Sequence, residues 1–301
     1  MNRKIRYPII FLLIVIVAGF GDIWVFHSND QQNTTFSGER AYQDVLTQTT
    51  MGPRVMGSAA HEELISWAVK LFKQNNWSTN VLTSEWQGHQ VQNVIAERGI
   101  GHPWIVLGAH YDSRFIADHD PNVSNRNMPV PGANDGASGV AVLTELARVL
   151  PQKLTGDTAG KISLVLFDAE DNGNIQGWDW ILGSLAYADY LSQQEDRPDA
   201  VIVLDMIGDS NLDIYMEKNS DQDLTKAIWD RAEMLGYSQF IPEYKYQMLD
   251  DHIPFIQMGI KAVDIIDFDY PYWHTIEDTA DKVSAESLQA VGETLQTWLT
   301  K

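Results

Sequence analysis

Short apolar runs and longer helical stripes take turns along most of this chain. Residues 91–96, 104–109, 162–167, 201–206 and 262–266 are compact runs rich in β-branched side chains. Residues 138–150, 178–192, 223–235 and 285–299 instead recur at helical spacing, as do 41–49 and 62–74. In the last of these, Leu64, Trp67, Ala68, Leu71 and Phe72 form one stripe. Strands that are apolar throughout must be buried on both faces, and alternating helices supply the two covering layers. The pattern predicts an α/β fold with a mostly parallel central sheet between helical layers. Ligand sites in such sheets gather beyond the carboxyl ends of the strands, so polar chemistry is expected just after each apolar run.

The amino-terminal stretch stands outside this alternation. Arg3, Lys4 and Arg6 precede an apolar run over 8–21, which resumes past Asp22 over 23–26. A basic start followed by an apolar centre predicts an export signal or an uncleaved anchor over residues 1–26. No Ala-x-Ala cleavage site follows, which favours the anchor. The positive-inside rule then places the rest of the chain outside the cytoplasm, held at a membrane, or secreted if the segment is removed. Residues 27–38, rich in Ser, Asn, Gln and Thr, are expected to be a solvated linker. That leaves 39–301 as a single catalytic domain.

Composition narrows the chemistry. Against 21 Lys and Arg stand 41 Asp and Glu, a net charge of −20 over 301 residues, which argues against nucleic-acid binding, since phosphate contacts need a basic face. With no cysteine in the chain, a disulfide framework, a thiol nucleophile and a Cys-ligated zinc site are excluded. Any metal must rest on His, Asp and Glu. A nucleophile elbow, a phosphate-cradling loop and a dinucleotide fingerprint are likewise missing.

The ends of the apolar runs carry the expected polar residues. His110 and Asp112 follow the run 104–109, two apart and therefore on one side of an extended chain. Asp112 suits the carboxylate that orients a ligand His, or His110 is a structural imidazole satisfied within the fold. Asp135 lies in a small-residue turn opening the helix at 138–150, where it is either a metal carboxylate or the helix cap. Glu170 and Asp171 follow the run 162–167 and point opposite ways, so one can bind metal while the other moves protons. The other reading of that pair is a solvated acidic loop. Asp205 is flanked by Leu204, Met206 and Ile207, an awkward place for an unpaired acid. Asp250-Asp251-His252 forms a further cluster, and Tyr270 to Thr275 brings His274 with Trp273 beside it as an aromatic wall. Asp118-His119-Asp120 lies in a long loop and is expected to be solvated surface. His27, His61, His89 and His102 carry no such pattern. Together the strand-end set suits one or two zinc ions on nitrogen and oxygen ligands, with a spare Glu as proton shuttle.

The segments Gly108 to Ser113, Gly132 to Gly139, Phe167 to Asp171, Leu204 to Gly208, and Trp273-His274-Thr275 with Asp278 resemble metallopeptidase family twenty-eight. The resemblance runs from Gly52-Pro53-Arg54 to the end of the chain, and it implies the three-layer α/β/α zinc-exopeptidase fold. The family holds zinc aminopeptidases and glutaminyl-peptide cyclotransferases, both acting at peptide or protein amino termini. It implies His110, Asp135, Asp171, Asp205 and His274 as the ligands of a two-zinc aminopeptidase, with Asp135 bridging. Glu170 would be the general base and Asp112 the support of His110. In the cyclotransferases a single zinc rests on the residues matching Asp135, Asp171 and His274, and the residues matching Asp205 and Asp250 assist catalysis.

Three features are more similar to the bacterial glutaminyl cyclases. Asp250 stands where aminopeptidases more often have Ser or Thr. Trp273 precedes His274, and Trp180 matches a pocket Trp. The chain departs at Asp264, where animal cyclotransferases have a pocket His, and at Leu249, which replaces a polar residue. The resemblance thus implies a substrate pocket of Trp180, Trp273, Tyr270 and Asp264, and the balance favours cyclisation of amino-terminal Gln over hydrolysis of the first peptide bond. An inactive zinc-binding interaction domain would be expected to lack Glu170 or a ligand, and the chain keeps all of them.

Overall fold

The computed structural model describes residues 34–154 and 160–300. The segment expected to be a signal or anchor, and the linker up to residue 33, lie outside the described residues. Among the described residues no helix is long and apolar enough to cross a membrane.

Each of the five short β-branched runs falls on a strand. β2 (His89–Gly99), β3 (Trp104–His110), β4 (Lys161–Phe167), β5 (Ala200–Asp205) and β8 (Lys261–Ile266) join β1 (Ser78–Trp86) in one sheet of order β1-β2-β4-β3-β5-β8. The pairs β4–β3, β3–β5 and β5–β8 are parallel, whereas β1–β2 and β2–β4 are antiparallel. The sheet is therefore mostly parallel on the side that carries the chemistry. β1 has no apolar run, because its side chains are only half-buried or exposed. Its turn into β2 has positive φ at Gln87 and Gly88, the backbone that matches the twist of a two-residue hairpin. β6 (Ile214–Met216) and β7 (Phe240–Tyr244) form a separate parallel pair.

Two helical layers sandwich the sheet. On one face α1 (Gly38–Met51), α2 (Ala59–Gln74), α3 (Ala137–Lys153), α5 (Gln222–Leu235) and α7 (Ala285–Leu299) share a core with Leu107, Leu164, Ile202 and Val263. On the other, α4 (Leu182–Ser192) and α6 (Ile253–Gln257) pack Tyr187, Leu191 and Phe255 against Val106, Val165 and Val203. Residues on the strands alternate between these two cores, as the two-unit side-chain period requires.

Residues 36–38, expected to be the end of a solvated linker, belong to the folded domain. Phe36 is buried, its backbone N–H donates to Gln296 Oε1, and Ser37 donates to Glu145 Oε1 and caps α1. A Cβ at Gly292 on α7 would lie 2.0 Å from the Phe36 ring, so that glycine makes the seat for the aromatic side chain. Phe36→Ala is expected to lower the unfolding free energy by about 3–5 kcal/mol, the usual cost of emptying a buried aromatic seat. Denaturant unfolding of the purified chain reads this; an unchanged midpoint would show that Phe36 does not hold the entry to α1.

Candidate metal and active site

The parallel strands β4, β3, β5 and β8 all deliver their carboxyl ends to one edge of the sheet, and the polar residues meet there. His110 closes β3 and Asp205 closes β5. Because the two strands are parallel neighbours, His110 Nε2 comes within 3.1 Å of Asp205 Oδ1. The same nitrogen is 3.0 Å from Asp135 Oδ1. On the far side of Asp135, His274 Nε2 is 3.9 Å from Asp135 Oδ2 and 2.9 Å from Asp171 Oδ1. Two groups result, His110–Asp135–Asp205 and Asp135–Asp171–His274, each with ligand atoms within 4.8 Å of one another. Asp135 belongs to both.

Local structure explains why these side chains converge. Asp135 is not the cap of α3, since Gly136 holds that position and no side chain bonds the helix start. The Asp135 carboxylate is instead free to face the imidazoles. A Cβ on Gly136 would sit 2.4 Å from the His110 carbonyl oxygen, so only glycine lets α3 begin this close to β3. Asp278 accepts the backbone N–H groups of Asn134 and Asp135 and the Tyr270 hydroxyl, and so fixes the Asp135 turn. Arg54, fully buried, donates to the carbonyls of Pro131 and Gly132 in the same turn. Asp112 accepts the N–H groups of Glu170 and Asp171 at 3.0 and 3.3 Å, while its distance to His110 Nδ1 is 3.5 Å. It therefore shapes the Glu170–Asp171 loop more directly than it orients His110. Ala169, Met206 and His274 have positive φ; each is one of these residues or its immediate neighbour, as strained backbone tends to be at sites.

The electrostatics are those of crowded buried acids. Burial pushes the Asp205 carboxyl up to about 7 and the Asp171 carboxyl to about 6, with His110 and His274 respectively opposing. Burial, with Asp171 and Asp250 nearby, holds Glu170 well above the usual carboxylate range. Burial also raises Asp135, but His110, together with His274 and Arg114, more than offsets it and leaves this carboxyl below its ordinary value. His274 loses from burial and gains more from Asp171 and Asp118, reaching about 9. Asp135 Oδ2, Asp171 Oδ2 and His274 Nε2 are buried without a hydrogen-bond partner. Buried polar atoms without partners are costly, and a cation at these three atoms would satisfy all of them. The donor set, two carboxylates and an imidazole, fits a zinc ion.

Beside this constellation lies a cavity of about 220 Å³, walled by Trp180, Trp273, Phe268, Ile266, Met206, Met248 and Leu249. Glu170, Asp205 and Asp250 also face it. Trp180 stands here because the helix expected from residue 178 begins only at Leu182; a Cβ on Gly173 would strike its ring at 2.0 Å. Two expected pocket residues do not reach the cavity wall. Tyr270 is buried and spends its hydroxyl on Asp278. Asp264 is buried on β8, 3.7 Å from His252 Nδ1, and its side chain belongs to that polar cluster. Asp118, expected to be solvated surface, is paired with the buried Arg114. Arg54 and Arg114 went unassigned from sequence; the one available signal is that Arg114 directly follows the His110-to-Ser113 segment. His61 is buried and pairs with Asp168 at 2.8 Å, a structural contact tying α2 to the end of β4. A larger hollow of about 760 Å³ beside α5 and β7 gathers no such set of ligand groups.

The sequence matches the model of peptidase family M28 over residues 93–299. The chain belongs to this family. To the aminopeptidase YwaD of Bacillus subtilis the M28 chain is 32% identical over 220 residues, covering 67% of its own length and 42% of that protein. To a glutaminyl-peptide cyclotransferase of Drosophila melanogaster it is 26% identical over 265 residues, covering 77% of itself and 72% of the relative. The crystal structure of Tannerella forsythia glutaminyl cyclase is similar at a TM-score of 0.80 and 32% identity, over 89% of this chain and 99% of that one. Both activities weighed from the sequence are thus represented among the relatives of the M28 chain, and both are enzymatic.

Proposed function

We propose that this M28 protein is a zinc-dependent glutaminyl-peptide cyclotransferase, converting amino-terminal Gln of peptides or proteins to pyroglutamate with release of ammonia. The observation that carries this reading is which buried atoms lack partners. Among the atoms of the two ligand groups that face one another, Asp135 Oδ2, Asp171 Oδ2 and His274 Nε2 lack one, whereas His110 Nε2 and Asp205 Oδ1 bond each other. Although His274 Nε2 and Asp171 Oδ1 are 2.9 Å apart, both carboxylates of this group keep an oxygen without a partner, which supports one zinc there. Zinc held by Asp135, Asp171 and His274 would polarise the side-chain amide carbonyl of the substrate Gln.

The chain's own residues do the rest. The Trp-walled cavity has room for about one side chain, well below the roughly 300–1,000 Å³ of clefts for drug-sized ligands, and a substrate side chain seated against its apolar walls would shed water there. Within it the substrate α-amine is held against its own side-chain amide, so ring closure is intramolecular. The amine nitrogen bonds the amide carbon and the carbon–nitrogen bond to the side-chain amide nitrogen breaks. Glu170 takes the proton released by the amine and delivers it to the departing ammonia, so no water is consumed. Asp205 and Asp250 both face the cavity, and Asp250 helps raise the Asp205 carboxyl. A shared proton between them would present one neutral and one charged acid to the substrate amine. The basic-then-apolar pattern over residues 3–26 supports action outside the cytoplasm, at a membrane or after export.

A second reading rests on its own observation. His110, Asp135 and Asp205 form a complete further ligand group, so a two-zinc aminopeptidase, with Glu170 activating water, is the competing reaction. Incubation with a Gln-initiated peptide, followed by mass, separates the two. The proposal expects loss of ammonia from an intact peptide. Release of free Gln with no ring formation would overturn it in favour of the peptidase.

A further inference from the structure

The imidazole of His274 has a second nitrogen besides the one that faces Asp135 and Asp171. His274 Nδ1 is buried without a hydrogen-bond partner, and the nearest carboxylate oxygen is Asp118 Oδ1 at 3.4 Å. A metal-ligating imidazole normally donates its other N–H to a carboxylate or carbonyl, which fixes the ring and strengthens it as a ligand. Asp118 is the group in position to do so.

Asp118 is itself held from behind. Arg114 is fully buried, and its Nε and Nη2 both donate to the Asp118 carboxylate at 2.8 Å in the two-pronged geometry of a guanidinium fork. The remaining donors go to the metal-site loop: Nη1 to the Asp171 carbonyl at 3.0 Å and Nη2 to the Gly173 carbonyl at 3.1 Å. Its Cζ lies 5.0 Å from the centroid of Trp180. One buried side chain therefore touches the Asp171 main chain, the Trp180 ring and the carboxylate beside His274. Asp118, His119 and His274 also lie within metal-binding reach of one another. However, both Asp118 oxygens are already engaged by Arg114, and His119 packs its ring edge-on against Trp273.

We propose that Asp118, fixed by Arg114, is the carboxylate partner of His274 Nδ1, and that this His274–Asp118–Arg114 chain sets how tightly the site holds its metal. Both are positioning residues: neither touches the reacting atoms. The inference rests on the metal-holding part of the proposed function and is indifferent to which reaction follows.

The test measures zinc affinity of the full chain by competition with a chromogenic chelator, without any substrate. Asp118 is one-third exposed, so Asp118→Asn should fold, and a thermal scan of the metal-free variant checks that it does. Asp118→Asn is expected to weaken zinc binding by roughly 10–100-fold, the usual effect of losing such a partner. Arg114→Lys keeps the charge but not the fork, and should weaken it in the same direction. The double variant should be little worse than the worse single one, since both act through one chain. Zinc affinity of Asp118→Asn within about twofold of the unaltered protein would overturn the inference. Full additivity of the two substitutions would also overturn it, because independent roles would add. If the unaltered chain bound no zinc, the metal-site reading itself would fall, and this inference with it.

Discussion

Replacing Glu170 by Gln is expected to abolish turnover while the metal stays bound. Glu170 belongs to neither ligand group, yet it faces the cavity between Asp171 and Asp250. Its backbone N–H is fixed by Asp112, so the side chain is aimed by a neighbour that also fixes the adjacent Asp171. Burial and nearby acids hold its carboxyl well above the usual range, and a bound cation would bring it down towards the value a proton shuttle needs. Gln has the same shape and no proton to exchange. The loss expected for a general acid/base is roughly 10²–10⁴-fold in kcat, with zinc content by elemental analysis unchanged. The same loss is expected for ring closure and for hydrolysis, so this variant tests the role of Glu170 rather than the choice between reactions. Full activity in Glu170→Gln would refute that role. Loss of zinc together with activity would show that Glu170 holds metal.

How much of this was legible in the residues depends on what each position has to satisfy. The strands β2, β3, β4, β5 and β8 are apolar on both faces because both faces are buried, and that demand is written in the sequence. β1 makes no such demand, since none of its side chains is fully buried, and its polar stretch carries no run to read. The helix expected from residue 178 starts at Leu182 because Ile181 takes a left-handed backbone, with φ of 57°; apolar spacing does not record that kink. The strand-end acids could be placed on the same sheet edge by topology alone. Whether Asp135 capped a helix or faced a metal could not, because both need the same residue at the same spot. The three-dimensional arrangement removes the cap reading, since Gly136 occupies that position, and turns the carboxylate toward His110 and His274.

The pocket was the least legible part. Tyr270 and Trp273 are three apart in one loop, yet one is spent bracing Asp278 and the other walls the cavity. Asp264 sits on a strand near the site but turns toward His252. Arg114 joins residues 118, 171, 173 and 180, contacts that no local pattern announces. A single charged residue after a strand end looks the same whether it is solvated or fully buried.

Substituting the two site histidines separately is expected to give opposite metal results. His274→Ala removes one of three ligands from the group whose buried atoms lack partners. It leaves Asp135 and Asp171 facing each other with no imidazole between them, and two carboxylates alone are a poor site for zinc. Affinity should fall by more than the roughly 10–100-fold typical of outer partners, and activity should fall to background at any workable zinc concentration. His110→Ala is expected to behave differently. Its Nε2 is already engaged with Asp205, and the group Asp135–Asp171–His274 does not include it. This variant should retain one zinc per chain. Its turnover should still drop, because Asp135 Oδ1 and Asp205 Oδ1, at 3.0 and 3.1 Å from the same nitrogen, lose the imidazole that separates them and holds the carboxylates in place. Zinc per chain, measured before and after each substitution, decides the metal count directly. One zinc in the unaltered protein, kept in His110→Ala and lost in His274→Ala, is the result a cyclotransferase site requires. Two zinc ions falling to one in His110→Ala would instead establish His110 as a ligand, and the five-ligand peptidase centre with it.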